Sequence, residues 1–169
     1  AISQKKLSLT IKGGTDVLWS PSIDYTQYVL RDAFSRMGIE FSFELSKRGY
    51  YPKGGGEINL QVYPSRVKSI SFLQRKTNSV KLICTFSKLS IEKIKNQIEE
   101  IKNKLTKENF IVEIEIKNQK AEDSGASLLI YSIDEDSIIG VDALFDKNTQ
   151  RFDLDLDKFV KNSLGVDDN

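Results

Sequence analysis

Two hydrophobic rhythms run through the chain. A period of two recurs at Leu7-Leu9-Ile11, Ile39-Phe41-Phe43-Leu45, Ile58-Leu60-Val62 and Phe110-Val112-Ile114-Ile116, the pattern of strands with one buried face. Residues 80–84, 128–133 and 138–144 also read as strands, the last two as a hairpin around the acidic turn Asp134-Glu135-Asp136. Residues 70–72 read as a further strand before the polar turn 75–79. The helical rhythm appears three times. Ser22 is the N-cap of a first helix; Ile23, Leu30, Ala33, Phe34 and Met37 mark its buried face and Gly38 ends it. Ser90 caps a second, where Ile91, Ile94, Ile98, Ile101 and Leu105 form a stripe too short for a coiled coil and suited to packing on a sheet. Residues 153–164 form a third, with Leu156, Phe159, Val160 and Leu164 apolar.

In order, these elements give a β-α-β-β unit ending near Pro64. From Ser65 glycine disappears until Gly125 while lysine and isoleucine become frequent, which predicts a domain boundary near residue 65. A small strand-rich domain with one long helix follows over 65–147, and 148–169 holds the last helix. The fold class is α+β, built of two-layer α/β sandwiches. Asp153, Asp155 and Asp157 alternate like calcium ligands, but the loop lacks the glycine and closing glutamate of an EF-hand, so they read as a solvated helix start.

Charge refines the picture. The net of +1 divides into +2 over residues 1–64, +7 over 65–120 and −8 over 121–169. The basic middle suits nucleic acid, but the acidic end can complement it within one sheet, and that is the expectation for most of it. The single cysteine, Cys84, lies in an apolar strand run and reads as a buried core residue. An internal disulfide is impossible, in keeping with a reducing, cytoplasmic compartment. No apolar run reaches the roughly 20 residues of a membrane span and no signal-peptide pattern is visible. There is no histidine, so no residue of that type acts here as ligand, base or nucleophile.

Candidate chemistry concentrates in Lys47-Arg48-Gly49-Tyr50-Tyr51-Pro52-Lys53-Gly54-Gly55-Gly56-Glu57, which joins two of the alternating runs. Consecutive glycines let a ligand approach the backbone, and successive N–H groups can cradle an anion. Lys47, Arg48 and Lys53 supply cations, while Tyr50 and Tyr51 supply ring faces on which a base stacks. The alternative is a solvated basic hairpin whose tyrosines cover a sheet edge. Gly13-Gly14-Thr15-Asp16 fits neither a dinucleotide fingerprint nor a P-loop and reads as a plain turn. Trp19 reads as core, and Tyr25 as core or stacking surface.

These two stretches, Gly13 to Tyr25 and Lys47 to Glu57, resemble the RNA 3′-terminal phosphate cyclases in content, order and separation. Gly140-Val141-Asp142-Ala143-Leu144-Phe145 resembles the family's Gly-Ala-Asp-Ala-Leu-Gly stretch, and Gly165-Val166-Asp167 the approach to its Leu-Ala-Asp-Gln segment. Gln74-Arg75-Lys76 departs from the Glu-Arg-Gly usual there. The resemblance implies a cyclase/enolpyruvate-transferase-like repeat over 1–64, the family's inserted domain over 65–147 and the start of a further repeat over 148–169, together roughly the middle half of a full-length enzyme.

It also implies an activity. In that family ATP adenylylates a histidine, AMP passes to an RNA 3′-phosphate, and the 2′-OH displaces it to leave a 2′,3′-cyclic phosphate. A divalent metal, Mg or Mn, assists. The implied partners are ATP and RNA with a 3′-terminal phosphate, and the nucleophilic histidine lies outside this chain. By resemblance, Pro21 and Tyr25 fall where the family packs against adenine. Lys47, Arg48, Tyr50, Tyr51, Lys53, Gly54 and Gly55 are the candidate RNA and phosphate contacts. A non-catalytic cyclase-like protein of ribosomal RNA processing is the alternative, which the Tyr50-Tyr51-Pro52 pattern disfavours.

Overall fold

The alternating runs become two sheets. The structure, a computed structural model, describes residues 5–71 and 75–164. Strands β1 (Leu7–Gly13), β2 (Phe41–Lys47) and β3 (Gly56–Val62) form an antiparallel sheet of order β1-β3-β2. The register sets Leu7, Leu9 and Ile11 opposite Val62, Leu60 and Ile58, with Phe41, Phe43 and Leu45 on the other side of β3. All nine apolar side chains therefore share one face, as the period of two requires. Leu7, Leu9 and Ile11 remain 42–44% exposed.

The second sheet has five strands in the order β5-β4-β6-β7-β8: β4 (Ser79–Ser87), β5 (Ile111–Asn118), β6 (Gly125–Ile133), β7 (Ile138–Asp146) and the short β8 (Arg151–Phe152). β4 and β5 are parallel, so a helix must carry the crossover. That helix, α2 (Ile91–Lys107), begins after Ser90 at the expected position, although the Ser90 side chain makes no capping bond. The basic middle and the acidic end do share this sheet, and Lys76–Asp136 and Lys104–Asp157 pair across them. Leu82, Leu128, Ile130, Ile94, Ile98 and Leu105 are fully buried between sheet and helix; each such side chain contributes about 1.5–3 kcal/mol by leaving water. Cys84 lies in this core, where burial pushes its thiol up to about 12. Helix α3 (Leu156–Leu164) closes the same core through Leu156, Phe159 and Val160. It starts three residues later than the apolar pattern suggests, with the Asp155 carboxylate accepting from the Lys158 N–H at 2.9 Å.

The first helix, α1 (residues 23–36), covers the opposite face of the second sheet. It is capped by the Ser22 hydroxyl, which accepts from the Tyr25 N–H, and it contains a π segment at Thr26–Leu30. A π turn inserts an extra residue and rotates everything beyond it. Val29 therefore becomes the buried position, at 4% exposure, while Phe34 is left 37% exposed, against expectation. Tyr28 stacks on Tyr131 of β6. The first helix and the second sheet thus form one packed body across the expected boundary. Ile70 and Ser71 are not in a strand; Phe72 and Gln74 lie outside the described residues, as does Gly165-Val166-Asp167. Among the described residues no helix is long and apolar enough to cross a membrane.

Candidate functional site

The glycine-rich loop is seated backbone to backbone on the Gly13–Asp16 turn. The Thr15 and Asp16 N–H groups both donate to the Gly49 carbonyl, at 2.9 and 3.2 Å, and the Gly49 N–H donates to the Thr15 hydroxyl at 3.0 Å. A Cβ on Gly49 would fall 2.5 Å from both the Gly54 carbonyl oxygen and the Gly56 nitrogen, and one on Gly56 would fall 2.8 Å from the Gly13 carbonyl oxygen. Gly54 and Gly55 take φ of +69° and +64°, where a side chain is strained. The glycines are there so that two main chains can touch.

Arg48 occupies the floor of this contact, at 2% exposure. Its Nη1 donates to Asp16 Oδ1 at 2.8 Å and Ser127 Oγ at 3.0 Å, its Nη2 to both Asp24 oxygens at 2.9 and 3.0 Å, and its Nε to Gln119 Oε1 at 2.9 Å. Thr85 Oγ1 also donates to Asp24 Oδ2, at 3.1 Å. The guanidinium therefore joins the turn, the start of α1 and the second sheet. Burial pushes the Asp16 carboxyl above its ordinary value, outweighing the attraction of Arg48. Burial also opposes the charge on Arg48, but Asp16 and Asp24 together hold it charged, above its ordinary range. The expectation of an RNA contact at Arg48 gives way to this internal role, because every donor direction of the fork is already used. Tyr50 is likewise interior at 3% exposure, its hydroxyl donating to the Thr85 carbonyl at 3.2 Å, so it offers no ring face to a base. Tyr51, 77% exposed, does.

Pro21 and Tyr25 are brought together. They line an open cleft of about 480 Å³ with Trp19, Ser20, Gly140, Val141 and Asp142. Trp19 is not a core residue: at φ +68° it turns outward and is fully exposed at the rim. The Asp142 carboxylate accepts from the Ser22 N–H at 2.6 Å, fixing the start of α1 against β7. Burial, with Asp142 adding to it, pushes the Tyr25 hydroxyl above its ordinary value, so the ring stays neutral. An exposed Trp19, an exposed Pro21 and a half-buried Tyr25 over a short strand segment suit a flat heteroaromatic ring.

Lys47, Lys53 and Gly55 meet elsewhere, around the β5–β6 loop. Lys47 pairs with Glu122, and the Lys53 N–H donates to Asp123 Oδ2 at 2.9 Å. Gly54 packs on Gly14 instead. Asp142, Glu122, Asp123 and the carboxylate partners of Arg48 are absent from the sequence-derived site. Asp142, Asp16 and Asp24 had a signal, since they sit in the Gly140 to Phe145 and Gly13 to Tyr25 stretches; Glu122 and Asp123 carry no local pattern. Among the described residues no three His, Cys, Asp or Glu side chains converge to hold a metal ion, and Asp16 and Asp24 both face the single guanidinium of Arg48. These residues do not form the divalent-metal site that the resemblance implies.

Two sheets with few helices, a glycine loop locked to a strand–helix turn and an aromatic cleft beside it make a cyclase-like α+β protein. The chain belongs to the RNA 3′-terminal phosphate cyclase family: the family's sequence profile matches residues 1–162. It is 36% identical over 146 residues to an RNA 3′-terminal phosphate cyclase of Saccharolobus islandicus, covering 85% of this chain and 43% of that protein. The enzyme of the same name from Saccharolobus solfataricus is 37% identical over the same length and shares. That from Methanosarcina barkeri is 47% identical over 74 residues, 44% of this chain and 22% of that protein. The chain thus spans less than half the length of these curated relatives.

Proposed function

We propose that this chain forms the nucleotide-facing and RNA-facing middle of an ATP-dependent RNA 3′-terminal phosphate cyclase. The observation that carries the reading is the cleft in which Pro21, Tyr25 and Trp19 meet Gly140–Asp142, found in a chain that belongs to the cyclase family. Pro21, Tyr25 and Trp19 hold the adenine by stacking and apolar contact. Asp142 keeps the helix start that carries Tyr25 in place. Lys47 and Lys53 neutralise RNA phosphate charge, and Tyr51 stacks a nearby base. A histidine outside this chain attacks the α-phosphorus of ATP and expels pyrophosphate; the AMP it carries passes to the RNA 3′-phosphate and leaves when the 2′-OH closes the 2′,3′-cyclic phosphate.

Trp19 is the only tryptophan and stands fully exposed at the cleft rim. Titrating AMP into the chain should quench its fluorescence, and Tyr25→Ala should abolish the saturable part. Incubation with ATP labelled at the α-phosphate should label the complete protein and leave this chain unlabelled, since it has no histidine. Label on neither protein would favour a non-catalytic RNA-binding relative. Unsaturable quenching, unchanged in Tyr25→Ala, would refute the adenine cleft.

A further inference from the structure

Around Glu122 three lysines gather from three separate segments. Lys47 of β2 pairs with its carboxylate, and Lys53 of the glycine loop attracts it electrostatically. Lys88, just beyond β4, donates to its carbonyl oxygen at 2.6 Å. Lys88 holds φ of +53°, a strained conformation for a side-chain-bearing residue and one that concentrates at functional sites. The Glu122 carboxylate also lies over Gly55: a Cβ there would fall 3.0–3.2 Å from its carbon and both oxygens. Next to it, the Asp123 carboxylate takes the Lys53 backbone N–H. A carboxylate flanked by ammonium groups, over a positive-φ glycine, with its neighbour on a loop amide, is placed as a bound oxyanion would be.

We infer that this lysine cradle is an RNA-phosphate site which the free protein keeps filled with its own Glu122 carboxylate, and that Lys88 is its third cation. The inference rests on the reading of the glycine loop as an RNA contact and adds a residue and a gate to it. Both partners of the Lys47–Glu122 pair are over 40% exposed, so the contact is weak enough to exchange. Glu122 holds its charge firmly, the bond from Lys47 lowering its carboxyl below the ordinary range, so the occupant stays an anion at neutral pH. RNA arriving at the cradle displaces the Glu122 side chain, and phosphate replaces carboxylate beside Lys47 and Lys53, with Lys88, which holds the Glu122 main-chain carbonyl in the free protein, turning to the phosphate as the third cation.

The test measures binding of a short single-stranded RNA bearing a 3′-phosphate by fluorescence polarisation at low salt. The complete protein is used, with Glu122→Gln compared against Glu135→Gln. Glu135 is exposed in the turn at the far end of β6, so its replacement makes the same change in net charge away from the cradle. Glu122→Gln should tighten binding about two- to fivefold, the worth of one exposed ion pair withdrawn from the competitor, while Glu135→Gln should not. Adding Lys88→Ala to Glu122→Gln should cancel the gain and make log affinity less steep in log salt by about 0.7, one phosphate contact on a single strand. Equal effects of Glu122→Gln and Glu135→Gln would overturn the gate. If Lys47→Ala and Lys53→Ala weaken RNA binding while Glu122→Gln does nothing, the gate fails and the loop remains an RNA contact. If neither lysine matters, the loop reading falls and the inference with it.

Discussion

Replacing Arg48 with alanine strands two buried carboxylates. Asp16 and Arg48 have side chains 0% and 1% exposed and Asp24 is 9% exposed, so water cannot take over as counterion. Deleting one partner of a buried ion pair costs about 3–5 kcal/mol; here a single guanidinium serves both acids and also Ser127 and Gln119. The upper end of that range is expected, set against a total of roughly 5–15 kcal/mol for a natural domain. The melting temperature should fall by roughly 10 °C or more, at about 2–4 °C per kcal/mol for a chain of this size. Urea unfolding followed by far-UV circular dichroism is the suitable assay, because the fully exposed Trp19 reports poorly on folding. The pH dependence separates this cause from simple cavity formation. Asp16 is already raised in the folded protein, and Arg48 is the largest influence holding it down, so the variant raises it further. A carboxyl raised above its unfolded value contributes stability below that value and loses it as pH climbs through the folded value. The penalty of Arg48→Ala should therefore shrink as the medium is made acidic, where protonation relieves the stranded Asp16 carboxylate. A loss under about 1 kcal/mol at neutral pH, or one that is flat with pH, would refute the account, because breaking a buried pair costs several times that.

Gly49→Ala should destabilise by about 1–3 kcal/mol or more, the usual cost of overpacking, since its Cβ meets only backbone atoms within 2.8 Å; urea midpoints would show it, and an unchanged midpoint would contradict the loop seating. Cys84, buried and raised to about 12, should react with a thiol reagent only through opening of the protein, so its labelling rate should rise with urea, and fast labelling without urea would contradict its burial.

Where the periodicity was strong, the chain could be read directly. The alternating runs at Leu7 to Ile11 and Ile58 to Val62 became β1 and β3, and the stripe from Ile91 to Leu105 became α2, because those patterns are local. The glycine loop was legible as special but not as to why. Glycine serves a ligand's approach and another main chain's approach equally, and only the fold reveals the Gly13–Asp16 turn beneath it. Arg48 stands beside Lys47 as though on the surface; its acids lie 32 and 24 positions away, in the other stretch that carries the resemblance, but no periodicity pairs them with it. Trp19 looks like core by size, yet one positive φ turns it out. The π segment shifts the face of α1 by an angle that no periodicity assuming a regular helix can anticipate. Pro21 and Tyr25 were placed by resemblance, and their meeting with β7 depends on a partner 120 positions from Ser22.

That last contact has a consequence for biogenesis. The first helix is tethered at its N-terminus by Asp142 and lies on strands that include Gly140 and Tyr131. A ribosome adding roughly 5–20 residues per second delivers those strands on the order of ten seconds after the helix. Through that interval the nascent chain holds Val29, Tyr50 and the charges of Asp24 and Arg48 with no sheet to receive them, so this segment reaches its buried state only after β6 and β7 have emerged.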